Sequence, residues 1–144
     1  MVPNKQINFI KPFGFFDYVN LINVLIEKKV ILEVLSRGPT KCLVVAKLPR
    51  HKIARRVDFL FTSDDAYPFA LLYFTGSKEF NTEMRERALR MGYTLNEHGF
   101  SKMEGRKKGA KVDKVFSSEE EIFDFLKMKY KDPCDRTEGA IEDK

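Results

Sequence analysis

The sequence predicts an α+β fold. Three observations carry that expectation: a helix-spaced apolar stripe near the start, three β-rich runs separated by turn residues, and a second half in which helical patterns alternate with short strands. A length of 144 residues suits one modest domain or two small lobes, and 43% hydrophobic content is enough to bury a core.

Residues 1–14 are punctuated by Pro and Gly and read as a flexible lead-in. Phe15, Val19, Ile22 and Ile26 then recur at helical spacing, with Tyr18, Leu21 and Leu25 alongside. Residues 15–28 are therefore expected to form an amphipathic helix whose apolar stripe is core. Residues 30–35 are β-rich, Ser36-Arg37-Gly38-Pro39 is turn chemistry, and residues 41–48 are β-rich again, which predicts an antiparallel hairpin. Residues 55–62 read as a third strand, with Arg56, Asp58 and Leu60 on one face and Val57, Phe59 and Phe61 on the other.

Asp64 or Asp65 is placed to cap a short apolar helix, and Pro68 fits its first turn. Residues 78–91 read as another helix, with Phe80, Met84, Ala88 and Met91 in line and Gly92 as its stop. Short strands are expected at 93–95 and 99–103, and a basic loop from Glu104 to Asp113. Ser117 and Ser118, with Glu120 and Glu121, offer two capping-box registers for a helix that buries Ile122, Phe123 and Leu126. Pro133 precedes a polar, frayed tail. Thirteen Phe and no Trp predict a Phe-rich core.

The distribution of charge says more than the formal net value of +5. Between Val34 and Val57 stand seven basic residues and no acidic one, and a second basic segment runs from Lys102 to Lys114. After Ser117 acidic residues outnumber basic ones. Such segregation fits a polyanion-binding face, and fits a solvated basic surface equally well. Cys42 and Cys134 are far apart and lack metal-site spacing, no apolar run approaches a membrane span, and no signal-peptide pattern opens the chain. The expectation is an intracellular protein with reduced thiols.

The stretch Tyr73-Phe74-Thr75-Gly76-Ser77 joins an apolar run to a charged helical pattern. Gly76 permits a sharp turn, and a Gly-Ser step opening a helix leaves amide groups facing outward, which suits an anion such as phosphate. An ordinary capped helix start explains the same residues. The neighbouring motifs decide between them. Arg55-Arg56-Val57-Asp58, then Tyr73-Phe74-Thr75-Gly76-Ser77, then Phe80-Asn81 with Met84-Arg85, then Asn96-Glu97 occur in that order. This order resembles the C-terminal half of a family X DNA polymerase, the polymerase beta type, over roughly residues 21–136.

The resemblance implies a partial nucleotidyltransferase-type palm sheet with helices at residues 15–72, a small α/β thumb at 73–136 and a polar tail at 137–144. It implies templated deoxynucleotide addition in gap-filling DNA repair, with gapped or primer–template DNA and a deoxynucleoside triphosphate as partners and two Mg²⁺ as cofactor. A nuclear location follows for a eukaryotic cell, and a viral origin is equally compatible. By resemblance Asp58 is the metal-binding carboxylate beside the primer terminus, and Arg56 holds that aspartate or the primer phosphate. Lys41 lies near the primer backbone, and Tyr73 and Phe74 flank the incoming sugar. Gly76 and Ser77, joined by an often cis peptide, belong to the nucleotide site. Asn81 meets the incoming base, Arg85 reaches the template strand, and Glu97 anchors the closed thumb.

Several positions depart from the family pattern. Lys78 stands where an acidic residue is common, Leu60 where Arg is common, and His98 where Tyr is common. The family's Gly-Ser and Asp-x-Asp palm segment is missing from these residues, as are its helix-hairpin-helix motifs. The expectation is thus a chain that begins partway through the palm and is inactive alone, its metal site incomplete. The competing reading is a non-catalytic DNA-binding module derived from such a polymerase.

Overall fold

The computed structural model describes residues 15–144, so the expected lead-in at 1–14 lies outside the described residues. The described residues divide into two compact units, one ending at Thr62 and the other running from Ser63 to Lys144.

The first unit opens with helix α1 (Phe15–Glu27). Strands β1 (Ile31–Arg37), β2 (Lys41–Ala46) and β3 (Arg55–Leu60) follow as an antiparallel sheet in sequence order. The β1–β2 turn is closed by Gly38 N–H donating to Lys41 O at 2.7 Å. Tyr18 and Ile22 of α1 pack on Ile31, Cys42, Val44 and Phe59, with Val19, Leu25, Val57 and Phe61 at the margin. The β-strand period thereby sends Val57, Phe59 and Phe61 inward, as the alternation of residues predicts.

One expectation for α1 is corrected. Leu21 and Ile26 are 42% and 38% exposed, along with Val24, because the face that meets the sheet follows Tyr18, Ile22 and Leu25. The apolar arc of this helix is wide, with Asp17, Asn20, Asn23 and Glu27 gathered on the other side, so Leu21 and Ile26 fall at its two edges and stay exposed. Cys42 is buried and Cys134 exposed, both as free thiols, and burial pushes the Cys42 thiol above its ordinary pKa.

The second unit contains helices α2 (Tyr67–Thr75), α3 (Lys78–Arg90) and α4 (Glu119–Phe125), and a three-stranded antiparallel sheet. Its strands are β4 (Tyr93–Asn96), β5 (Gly99–Glu104) and β6 (Lys107–Lys111), paired in sequence order. Ala66, not an aspartate, occupies the N-cap of α2, and no side chain caps it. Asp65 instead lies 3.4 Å from Lys111 Nζ. A hydrogen bond from the Ser63 side chain, followed by Lys111, holds the Asp65 carboxyl below its ordinary value despite an opposing burial effect.

Helix α3 starts where Ser77 Oγ accepts from Phe80 N–H at 3.3 Å, and it buries Phe80, Met84 and Ala88. Gly92, at φ 85°, turns the chain after it into β4. Helix α4 uses the second capping register: Ser118 Oγ accepts from Glu121 N–H at 3.4 Å, while Glu121 Oε2 accepts from Ser117 N–H at 3.1 Å. Three glutamates in its first turn complement the positive end of the helix dipole.

The core of this unit is rich in Phe, as the composition predicts. Phe69, Phe80, Phe100, Phe116 and Phe123 are buried together with Ile122, Leu126 and Met128. Phe69 meets Phe100 and Phe116 edge-on, at centroid distances of 5.4 and 5.1 Å, a geometry that aromatic quadrupoles favour.

Two further expectations change. The basic loop after Glu104 is a strand, because a two-residue turn at Gly105 and Arg106 (Gly105 φ 64°) returns Lys107 opposite Glu104. The run Lys-Lys-Gly-Ala-Lys has neither alternation nor high β-propensity, so backbone pairing with β5 decides its conformation. The tail is not frayed: Ala140 and Ile141 pack on the core, and Lys129 N–H donates to Glu142 O at 2.9 Å.

One polar cluster lies inside this unit. The Arg136 side chain, 0% exposed, donates to Glu119 Oε1 and Oε2 at 2.9 and 3.0 Å and to Lys131 O at 3.0 Å. Its guanidinium also lies over Phe123 and Tyr130, at 5.3 and 5.6 Å from the ring centroids.

Removing one member of a buried, hydrogen-bonded ion pair strands the other charge, at a cost of about 3–5 kcal/mol. Arg136→Ala is expected to lose that much in urea denaturation followed by circular dichroism, whereas Glu119→Leu with Arg136→Met recovers most of it. A single variant within about 1 kcal/mol of wild type would contradict the account. Gly76 sits at φ 71° and ψ −157°, a region open essentially to Gly alone. Gly76→Ala is expected to cost about 1–3 kcal/mol in the same measurement, and an unchanged midpoint would show that the turn relaxes freely.

Candidate functional site

The residues singled out by the sequence fall into two groups, one in each unit. In the first unit β2 and β3 set Leu43 opposite Asp58, Val45 opposite Arg56 and Lys41 opposite Leu60. Strand alternation puts all six on the sheet face opposite Cys42, Val44 and Phe59. Arg56 forks Asp58, with Nε to Oδ1 at 3.0 Å and Nη2 to Oδ2 at 3.4 Å. The Asp58 side chain is 15% exposed and that of Arg56 57%, so the carboxylate is the more enclosed partner.

That carboxylate bears on metal binding. Among the described residues no group of three or more His, Cys, Asp or Glu side chains converges as metal ligands. Mg²⁺ is held by carboxylates together with water and substrate phosphates, and a pair of ions needs more than one carboxylate. Asp58, already forked by Arg56, does not by itself fit a two-Mg²⁺ centre.

In the second unit the turn between α2 and α3 organises the other group. Tyr73 and Phe74 end α2 and meet edge-on, with centroids 5.0 Å apart. The Gly76–Ser77 peptide is cis. The amides around it are largely engaged within the protein. Ser77 N–H donates to Arg136 O at 3.2 Å, Gly76 N–H to Leu72 O at 3.4 Å, and Asn81 N–H to Ser77 O at 3.0 Å. The expected ring of outward amides is therefore reduced.

One turn into α3, Asn81 Nδ2 donates to Tyr73 O at 2.8 Å, and one turn further the Arg85 guanidinium lies 5.3 Å from the Tyr73 ring centroid. The i, i+4 spacing on α3 aligns Asn81 with Arg85, and Tyr73 on α2 supplies the surface they share. Met84, Leu95 and Asn96 complete a shallow pocket around these three. Phe69 and Leu72 add to its apolar lining, while Asn81, Asn96 and Arg85 bring two amides and one cation.

Glu97 and His98 form the two-residue link between β4 and β5, with His98 Nε2 3.8 Å from Glu97 Oε1. Lys78 is exposed at the first turn of α3. Asn96 stands in the Asn96-Glu97 motif, but its place in the pocket is not foreseen there, and Arg136 as a support of the turn has no signal in the sequence pattern. Arg136 and Glu119 lie 17 positions apart, and only the fold pairs them.

All of the pocket's lining but Phe69 lies within a recognisable segment. Residues 70–137 match the DNA polymerase beta thumb family. The chain is 36% identical over 105 residues to the DNA polymerase lambda of Rattus norvegicus, an alignment covering 67% of this chain and 18% of that protein. It is 31% identical over 99 residues to the DNA polymerase/3′-5′ exonuclease PolX of Bacillus subtilis (strain 168), covering 69% and 16%. It is 30% identical over 93 residues to the DNA polymerase lambda of Arabidopsis thaliana, covering 61% and 18%. The chain thus spans less than a fifth of the length of these relatives. With its thumb at residues 70–137, the chain belongs to the family X DNA polymerases.

Proposed function

We propose that this chain is the palm-and-thumb part of a family X DNA-directed DNA polymerase, with residues 15–72 contributing palm and residues 73–136 the thumb. Its role is templated deoxynucleotide addition at gaps during DNA repair, in the nucleus where the cell is eukaryotic. The observation that carries this reading is the convergence of Tyr73, Asn81 and Arg85 on one pocket inside the thumb segment. The pocket takes the deoxynucleoside triphosphate and the pairing template base of a gapped or primer–template DNA.

Each side chain then has a physical task. The Tyr73 backbone is fixed by Asn81, so Tyr73 and Phe74 present a rigid wall to the sugar and crowd a ribose 2′-hydroxyl. The other end of the Asn81 amide is left to meet the base edge. Arg85, held over Tyr73 rather than paired with a carboxylate, is available to the template strand. Gly76 and Ser77 set the angle at which α3 delivers both. Glu97 steadies the closed thumb. In the first unit Lys41 and Arg56 face the primer backbone, and Asp58 is the carboxylate on the reacting side.

Mg²⁺ supplies the charge for phosphoryl transfer when it is bound. The activity needs carboxylates besides Asp58, so the 144-residue chain on its own is expected to recognise the substrate without extending the primer. One observation favours a non-catalytic DNA-binding module instead: Asp58 is already engaged by Arg56. A pure binder has no use for a nucleotide pocket, and this separates the two readings.

Binding to a one-nucleotide gapped duplex is the test, with and without the template-matched deoxynucleotide. The matched nucleotide is expected to tighten the complex. Asn81→Ala and Arg85→Ala are each expected to weaken that gain by up to about tenfold, the scale of one hydrogen bond or a charge-assisted contact. Tightening absent from the wild type would favour the binding module, and no binding to the duplex at all would overturn both readings. Primer extension by the chain that is lost in Asp58→Ala would show that a complete metal site exists and that the expected inactivity is wrong.

A further inference from the structure

Beyond the pocket, the second unit carries a charged feature that the nucleotide site does not use. The β5–β6 ribbon bears Lys102, Arg106, Lys107 and Lys108, all exposed, within seven residues of chain. Two neighbouring cations are already committed: Lys111 to Asp65, and Lys114 to the faces of Phe116 and Phe125 at 4.9 and 5.9 Å. The four ribbon cations form no ion pair among the described residues. The one acidic side chain between Lys102 and Val112 is Glu104. Its carboxylate is folded across Gly109, where an added Cβ would sit 2.8 Å from Oε1, and it makes no salt bridge to Lys107 opposite it.

We propose that this ribbon is a second DNA contact, which grips the phosphate backbone of a duplex through Arg106 at the turn and through Lys102 and Lys107, which strand alternation puts on one face, Lys108 lying on the other. The choice of DNA as the polyanion rests on the polymerase reading; the presence of an unneutralised cation cluster does not. Like charges held together on a hairpin repel one another, and a run of phosphates relieves that repulsion. The ribbon is two strands wide, and Ala110 adds little bulk to β6. Arg106 at the turn presents a planar fork suited to two phosphate oxygens, and the lysines act as point charges. Contacts of this kind hold position and register but do not read sequence.

The test is the salt dependence of duplex binding by the full chain. Each phosphate contact adds about 0.9 to the slope of log affinity against log salt. Lys102→Ala with Lys107→Ala is expected to flatten the slope by about 1.8, so that between roughly 50 and 200 mM salt this variant loses about tenfold less affinity than wild type. Lys102→Arg with Lys107→Arg keeps the charge and is expected to keep the slope, which separates charge from any local disturbance. Lys129→Ala, whose ammonium is paired with Glu142 at 3.3 Å, is expected to leave the slope unchanged. If wild type binds with a steep slope and the double alanine variant shares it, the ribbon proposal fails and the polymerase reading stands. If wild type shows no salt-dependent binding to duplex DNA, both fail.

Discussion

Arg136 and Glu119 form a buried ion pair that joins the last part of the thumb to the place where its pocket is built. The guanidinium has no exposure, and its partners come from the first turn of α4, from the Lys131 carbonyl and from two aromatic rings. Desolvating both charges is expensive, and only this degree of satisfaction makes the arrangement tolerable. Its consequence is positional. With the side chain fixed, the Arg136 carbonyl is a fixed acceptor for Ser77 N–H. Ser77 in turn caps α3. Thus a residue near the chain's end sets the start of the helix that carries Asn81 and Arg85.

The pocket follows from that helix start together with the turn at Gly76. The hydrogen bond from Asn81 to the Tyr73 carbonyl ties α3 back to α2, and Arg85 stacks over the ring of the same Tyr73. Such a site is preorganised, since the groups that would meet a nucleotide are held by one another before it arrives. The side chains of the first unit follow a different logic, in which strand alternation alone sends Asp58 and Arg56 to the face opposite the core.

Much of this architecture is legible in the residues themselves. Period-two alternation places Phe59 inward and Asp58 outward, Ser77 and Ser118 announce helix starts, and Phe80, Met84 and Ala88 mark the buried line of α3. What escapes the sequence has physical causes. Strand β6 is built from residues with little β-propensity and exists because β5 offers it a ladder. The apolar arc of α1 is wider than the face that meets the sheet, so its edges cannot be told from its centre by period alone, and α2 begins after Ala66 without the expected aspartate cap, Asp65 being held by Ser63 and Lys111. Within the site, the motif residues Tyr73, Asn81 and Arg85 are visible in the sequence. Asn96 is visible as part of a motif but not as a pocket residue, and Arg136 is not visible at all, because these roles arise from contacts between elements distant along the chain.

The most direct measurement is residue-resolved NMR of the full chain titrated with a gapped duplex and a non-hydrolysable, template-matched deoxynucleoside triphosphate. If the thumb pocket receives the nascent base pair, the largest nucleotide-dependent shift changes fall at Tyr73, Ser77, Asn81, Arg85 and Asn96. Nucleotide-dependent changes that bypass these positions and gather elsewhere would contradict the account.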